Sequence, residues 1–434
     1  MRKSKKLISV FIALLLSLTW LAACSKGSDE TASSSSGGKQ PVQLQFWDMV
    51  WGPPEYIKTA KKLVDQFNKE NPGIHVKYQS TPWNNWYQTF STAIASGSAP
   101  DISTGAGYQA FQFAQMGAIL PIDDVIQKDT VDVNDFYPGS IDSMKYDGHY
   151  YALPWADDIR VIYYRKDLFE KAGITTLPST WDELRTAAKK LSGNGNYGIV
   201  MPNDTGGSHY VMSLMINNGG GLFTKDGKPD LTNPRNLEAV NFLLDMQKDG
   251  SLNPAGAGMQ GADAQKSFAQ GKAAILIDGP GLKESLPELK DKIGILTPLT
   301  GPHGDQGTIN WINNIMIYKQ TKYPDEAKKF LAWWSKNEKR LWTEGHVGQL
   351  PIRKSFQADP YIQNNEDVKF IIDKYLPIAK TTAFHNASLF PELNTVEGQG
   401  FLQTMTQQIS MGKDSKDIID KANNAFKNIM SQQQ

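Results

Sequence analysis

"YYALPWADDIRVIYYRKDLFEKAGITTLPSTWDELRTAAKKL" (residues 150–191) is the stretch from which the fold is read. Its first part holds two β-like runs, "YYAL" (150–153) and "VIYYRK" (161–166), rich in aromatic and β-branched residues. Its last part is helical. Thr180 and Glu183 stand at capping-box spacing, and Trp181, Leu184, Ala188 and Leu191 make one apolar stripe. Asp158 and Arg160 are two residues apart, so on a strand they project from the same face. Opposite charges at that spacing pair, and together they can address one pair of ligand hydroxyls. The alternative is an ion pair that merely braces a junction. Trp155, close by, is a candidate stacking surface.

The same alternation extends in both directions. "VQLQFW" (42–47), "IHVKYQ" (74–79) and "PDIST" (100–104) read as strands. The helix between the first two, "PEYIKTAKKLVDQFNKENPG", places Ile57, Ala60, Leu63, Val64 and Phe67 on one face, with Pro54 suited to its first turn. Downstream, "YGIVM" (197–201), "AAILID" (273–278), "IGIL" (293–296) and "IMIYK" (315–319) are strands. "NPRNLEAVNFLLDMQKDG" is a helix with Asn233 as N-cap, Pro234 at the first helical position and Gly250 past its end. "YPDEAKKFLAWWSKNEKRLW" and "DSKDIIDKANNAFKNIM" complete the helices. Strand–helix–strand order predicts α/β units on largely parallel open sheets. The chain is too long for one small sheet, so two α/β lobes are expected.

The N-terminus is separate from this fold. Arg2, Lys3, Lys5 and Lys6 precede an apolar run from Leu7 to Ala23, a secretory signal pattern over residues 1–23. A retained membrane helix is the rival reading, because the run lies near the lower limit for a span. Cys24 is the only cysteine. Leu21-Ala22-Ala23-Cys24 resembles a bacterial lipobox, which implies a mature N-terminus at Cys24 carrying a diacylglyceryl group. Residues 24–41 are Ser/Gly-rich and read as a lipidated flexible tether, of which Ser25–Gln40 would span about 20–25 Å. One cysteine forms no internal disulfide and no cysteine zinc cluster. Without the four basic signal residues the chain carries 41 basic and 45 acidic residues, a net of −4 that argues against nucleic acid. At 40% hydrophobic and 21% charged, the composition is that of a soluble globular protein.

Several segments, in order, carry a family likeness: "LQFWDMVWG", "FNKENPGIHVKYQ", "TAIASGSAPDI" (92–102), the 150–191 stretch, "INNGGGLFTKDGKPDL", "GKAAILIDGPG", "PDEAKKFLAWWS" and "GQLPIRKSF". From residue 42 onward the chain resembles the extracellular solute-binding proteins of carbohydrate ABC importers, the group related to maltose-binding protein. The resemblance implies a periplasmic-binding-protein-like fold with a ligand cleft between two lobes and three passages of the chain between them. It implies one lobe at 42–152 plus 308–353 and another at 153–307 plus 354–434. It implies a sugar ligand, an ABC permease as partner, a monomer, a lipid-anchored extracellular location and no cofactor or metal. Two departures stand out. Gly281 occupies a place where many relatives have Trp, and "INWINN" with Trp311 replaces paired glycines, as if a stacking tryptophan had changed walls.

A sugar site joins flat aromatic faces to forked charged or amide groups. The candidates are loop residues after strands: Trp51, Trp83, Trp86 and Tyr108, with Asp48 at a strand end. The stretch "NDTGGSHYVM" precedes a helix and places His209 and Tyr210 where relatives use an aromatic, Asp278 ends a strand before "GPG", and Arg353 follows "LPI". With Asp158, Arg160, Trp155 and Trp311 they form the expected ligand-binding set. An enzyme of carbohydrates would need two carboxylates across the scissile bond. Asp157 and Asp158 are adjacent and point to opposite strand faces, so no enzyme is expected. A same-fold receptor for a polyamine, iron chelate or peptide is the alternative.

Overall fold

Residues 40–127, 130–137, 139–386 and 388–432 are described by a computed structural model. The expected signal peptide, Cys24 and the expected tether up to residue 39 lie outside the described residues. Strand β1 (Val42–Met49) buries Leu44 and Phe46 and exposes Gln43 and Gln45, the alternation its sequence predicts. Helix α1 (Pro54–Glu70) buries Tyr56, Ala60, Leu63 and Phe67 along one stripe. It stops at Asn71, whose N–H bonds the Phe67 carbonyl at 2.9 Å, with Pro72 unable to continue the helix. The chain returns as β2 (Ile74–Thr81) and, after α2 (Trp86–Ala95), as β3 (Ile102–Gly105); both lie parallel to β1.

Helix α3 (Gln109–Gln115) follows, and β4 (Ala152–Ile159) enters the same sheet. After Arg160 the chain changes sheet. β5 (Val161–Arg165), β6 (Tyr197–Ile199), β7 (Ala273–Asp278) and β8 (Ile293–Ile295) form a second, four-stranded sheet in the order β8-β5-β7-β6. Its helices include α4 (Trp181–Lys190), α5 (Thr205–Asn217), α6 (Pro234–Lys248) and α7 (Gly261–Ala269). The capping box predicted for α4 is present: Glu183 N–H bonds Thr180 Oγ1 at 3.3 Å, and Glu183 Oε2 accepts from Thr180 N–H at 3.2 Å. Asn233 caps α6 through Arg235 N–H at 3.0 Å.

β9 (Thr308–Ile317) leads back to the first sheet, followed by α8 (Pro324–Asn337) and β10 (Leu350–Pro351). β11 (Ala379–Lys380), α9 (Glu392–Gly398), α10 (Phe401–Ser410) and α11 (Ser415–Gln432) complete the chain. The first sheet runs β10-β4-β9-β3-β1-β2, with β11 added beside β9. One apolar cluster, with Phe46, Phe67, Phe330 and Trp334, packs on this sheet; another, with Leu214, Leu243, Met405 and Phe426, packs beneath the second. This is a two-lobed α/β fold.

The sheets are mixed, not largely parallel. β9 is antiparallel to both β3 and β4, and β5 is antiparallel to β7 and β8. Periodicity reports which face a strand buries but carries no direction. The lobe boundary expected at 152/153 falls inside a strand that is continuous to Ile159, and the change of sheet comes at Arg160. Its run "ALPWA" is buried throughout, as suits a strand covered on both faces. Pro154 within it cannot donate to the ladder, and there the register with β9 slips: Asn313 faces Ala156 while Asn314 faces Pro154.

Candidate functional site

A cleft of about 640 Å³ opens between the ends of the two sheets. One wall is made of the segments following β1 (Val50–Pro54), β2 (Trp83–Trp86) and β3 (Ala106, Gly107). The other is made of the start of α5, Gln265 of α7 and the turn from Asp278 to Leu282 after β7. These are the carboxyl ends of parallel strands, where open α/β sheets bind ligands because no ladder occupies the loops there.

The first wall is aromatic. Trp51 and Trp83 meet edge to face at 4.8 Å between centroids, and Trp83 meets Trp86 in the same way at 6.4 Å. Their polar ends are already satisfied: Trp51 Nε1 donates to Thr104 Oγ1 at 3.0 Å, and Trp83 Nε1 donates to the Val50 carbonyl at 2.7 Å. Trp83 alone of the three is only partly buried.

The polar groups of the cleft lie where the chain crosses between the sheets and along the second wall. Arg160 donates two bonds to Asp158, at 2.7 and 3.1 Å, so the spacing read from the sequence yields a bidentate pair. Nη2 of Arg160 also reaches His209 Nδ1 at 2.9 Å, and the guanidinium carbon lies 5.1 Å from the Trp311 ring centre. Burial, reinforced by the Arg160 charge, pushes the His209 pKa well down and keeps the ring neutral. Asp278 accepts from Gln265 Nε2 at 2.9 Å and from Gly279 N–H at 2.7 Å, while burial raises its pKa.

Trp311 links the walls, on β9. Its Nε1 donates to Glu397 Oε1 at 2.7 Å, and the His209 ring lies 3.9 Å from its own, centre to centre. Glu397 also accepts from Thr382 Oγ1; burial pushes its pKa up to about 7. With one face against His209 and its N–H engaged, Trp311 works as a fixed pillar and not as an open stacking platform.

Eight of the expected residues line the cleft: Trp51, Trp83, Trp86, Asp158, Arg160, His209, Asp278 and Trp311. Five do not. Asp48 is wholly buried on β1, accepting from Tyr56 at 2.9 Å, Tyr78 at 3.0 Å and Thr104 at 2.8 Å. Burial raises its pKa to about 7. Trp155 is core, wedged edge-on between Trp51 and Trp342 at 5.0 and 5.6 Å. Tyr108 is buried at the head of α3 and accepts from Thr382 N–H at 3.0 Å. Tyr210 lies inside α5 on its buried side; α5 starts at Thr205, so His209 and Tyr210 are within the helix and do not precede it. Arg353 is a buried clamp, bonded to Glu338 at 3.2 Å and Asp135 at 3.1 Å and stacked over Phe136 at 4.3 Å. Strand alternation turns Asp48 inward with Leu44 and Phe46, whereas Tyr108 and Arg353 are drawn in by partners distant in sequence.

Sequence reading missed Asn313, Gln265, Gln349 and Glu397, all of which line the cleft. Asn313 had a signal, since it stands two residues from Trp311 on one strand. Glu397, on α9, had none.

Two α/β lobes with an aromatic and polar cleft at their strand ends define a solute-binding protein of the periplasmic type. Residues 53–340 match the family described as bacterial extracellular solute-binding protein. A sugar transporter from Arthrobacter chlorophenolicus A6, solved with bound laminaribiose, is 37% identical, with a TM-score of 0.85 covering 89% of this chain and 99% of its own. A binding protein of Brucella abortus (strain 2308) is 31% identical over 349 residues, 78% of this chain and 82% of that one. The galactooligosaccharide-binding protein of Bacillus subtilis (strain 168) is 27% identical over 437 residues, 97% of this chain and 96% of its own. This chain belongs to the bacterial extracellular solute-binding proteins.

Proposed function

We propose that this protein is the receptor of an ABC importer and captures a short neutral oligosaccharide between its lobes. The observation that carries this reading is a single cleft lined both by the half-buried Trp83 and by a bidentate Asp158–Arg160 pair. Trp83, with Trp51 and Trp86 behind it, would bury the C–H face of a sugar ring. Arg160, Asp158 and Asp278 would take its hydroxyls. The likeness to a laminaribiose-bound sugar transporter supports a β-linked glucose disaccharide as the first ligand to try.

Ligand binding favours the closed arrangement only if both walls gain contacts on closure, which groups on opposite lobes provide. The lipobox-like Cys24 and its tether would hold the receptor on the outer face of the membrane, where the closed form meets the permease subunits. A polyamine receptor would need free carboxylates; Asp158 and Asp278 are each already hydrogen-bonded twice. Intrinsic tryptophan fluorescence and calorimetry with laminaribiose, maltose, galactooligosaccharides, spermidine and a peptide mixture test the reading. Saturable binding of an oligosaccharide is expected. A response confined to spermidine or peptides would overturn it.

A further inference from the structure

Three side chains of the cleft hold a polar atom with no partner among the described residues: His209 Nε2, Asn313 Nδ2 and Gln349 Oε1. Two belong to side chains almost removed from solvent, since Asn313 is 3% and His209 6% exposed. Native proteins rarely leave buried polar atoms unpaired, because the group loses its water and gains nothing. Other unpaired atoms are spread through the fold, but at the wall of a cleft a ligand can supply the missing partner.

The chemistry of each atom follows from its neighbours. Arginine only donates, so the 2.9 Å contact from Arg160 Nη2 makes His209 Nδ1 an acceptor. The proton of the neutral ring is therefore on Nε2, and Nε2–H is a donor in search of an acceptor. Asp158 sets this in turn, since its two bonds fix the guanidinium that fixes the ring. Asn313 sits two residues from Trp311 on β9, so both present to the cleft face, and the register slip between Asn313 and Asn314 lies beside it. The adjacent Asn314 spends its amide nitrogen inside the fold, on the Ala106 carbonyl at 2.9 Å. Asn313 does not.

We infer that His209 and Asn313 are the specificity-determining donors of the cleft, each presenting one fixed N–H to a ligand oxygen, an inference that rests on the oligosaccharide-receptor reading. Gln349 Oε1 supplies the opposite polarity and takes a hydroxyl hydrogen. Two donors and one acceptor, all uncharged, suit hydroxyl, ring or glycosidic oxygens. An ammonium group, which only donates, would meet two donors.

The test uses the full mature lipoprotein in detergent. Calorimetry with laminaribiose compares the wild type with Asn313→Leu and with His209→Phe, the latter keeping a ring against Trp311. Each variant is expected to bind about tenfold more weakly. Without ligand, Asn313→Leu should melt at a higher temperature than the wild type, because it removes a buried unpaired amide. Nitrogen-15 NMR of the histidine ring should show a protonated Nε2 and a bare Nδ1. Unchanged affinity in both variants, a lowered ligand-free melting temperature in Asn313→Leu, or a proton on Nδ1 would each overturn the assignment. A wild type that ignores laminaribiose and every other sugar would sink the receptor reading instead; the ligand-free melt and the ring tautomer would still decide on the donors.

Discussion

Gly281→Ala is the sharpest probe of how the lobes meet. Gly281 follows β7 of the smaller sheet, and Gly348 precedes β10 of the larger one; both line the cleft. A Cβ built on Gly281 lies 2.1 Å from Gly348 Cα and 3.1 Å from its carbonyl carbon. Both are backbone atoms, so no rotamer relieves the clash. The backbone of Gly281 asks for no glycine, with φ at −96°; the requirement is space. Alanine forces the two lobes apart locally, at about 1–3 kcal/mol for an overpacked contact. If the contact forms on ligand closure, that cost appears in binding, as about 5- to 150-fold weaker affinity for laminaribiose. The ligand-free melting temperature should stay near that of the wild type. Gly348→Ala is the control: its Cβ would sit 3.2 Å from Gly281 Cα, so a milder loss is expected. Calorimetry and thermal melting of the three proteins decide the matter. Wild-type affinity in Gly281→Ala would refute the closure argument. An equal drop in ligand-free stability would place the contact in the resting state.

Trp51→Ala and Trp83→Ala should differ in kind: Trp51 is buried and bonded to Thr104, so its loss should cost about 3–5 kcal/mol of stability by denaturant unfolding, whereas the partly buried Trp83 should lose ligand affinity with a smaller stability change. Asp157 is buried, which raises its pKa to about 7 despite two bonds from Asn310, with the Asp158 charge adding to the rise. A carboxyl with a raised folded pKa holds its proton in the folded state where the unfolded chain has lost it, so stability falls as pH rises from about 4 to 7; the ligand-free melting temperature should drop across that window, and less steeply in Asp157→Asn. A wild-type melting temperature that is flat between those pH values would contradict the placement of Asp157. Cys24→Ala should move the protein from the detergent phase to the aqueous phase in a detergent-partition assay; retention in the detergent phase would argue for an uncleaved anchor helix.

The elements were legible where local chemistry is sufficient. The α1 stripe, the α4 capping box and the Asn233 cap of α6 each follow from residues a few positions apart, and the structure forms all three. The Asp158–Arg160 pair was legible for the same reason, since strand geometry fixes the direction of residues two apart. What escaped depends on distance. Asp48 looked like a loop-end carboxylate, but Tyr56, Tyr78 and Thr104, from α1, β2 and β3, enclose it. Arg353 resembled a cleft cation until Asp135 and Glu338 converged on it from 218 and 15 residues away. Glu397 reaches Trp311 across 86 residues, and no local pattern announces it. Strand direction failed for a similar reason: β9 runs against β3 and β4 because of where the chain comes from, not because of what it contains.

The distribution of satisfied and unsatisfied groups in the cleft bears on which ligands it admits. Its carboxyl groups are each hydrogen-bonded within the protein: Asp158 by Arg160, Asp278 by an amide and a backbone N–H, Asp204 by the N–H groups of Gly206 and Gly261, and Glu397 by Trp311. A charged ligand would have to compete with these bonds in a partly desolvated site, where breaking a pair leaves an uncompensated charge. The uncharged atoms of His209, Asn313 and Gln349 are the ones left without partners. A neutral polyhydroxylated ligand gains bonds at those atoms and disturbs none of the pairs. Discrimination at such a site is steep, because an analogue lacking one oxygen strands a buried donor that the correct ligand satisfies. The ordering follows directly: deoxygenating the sugar at the position facing Asn313 should cost the wild type much of its affinity and cost Asn313→Leu little. Equal losses in the two proteins would show that the oxygen is read elsewhere in the cleft.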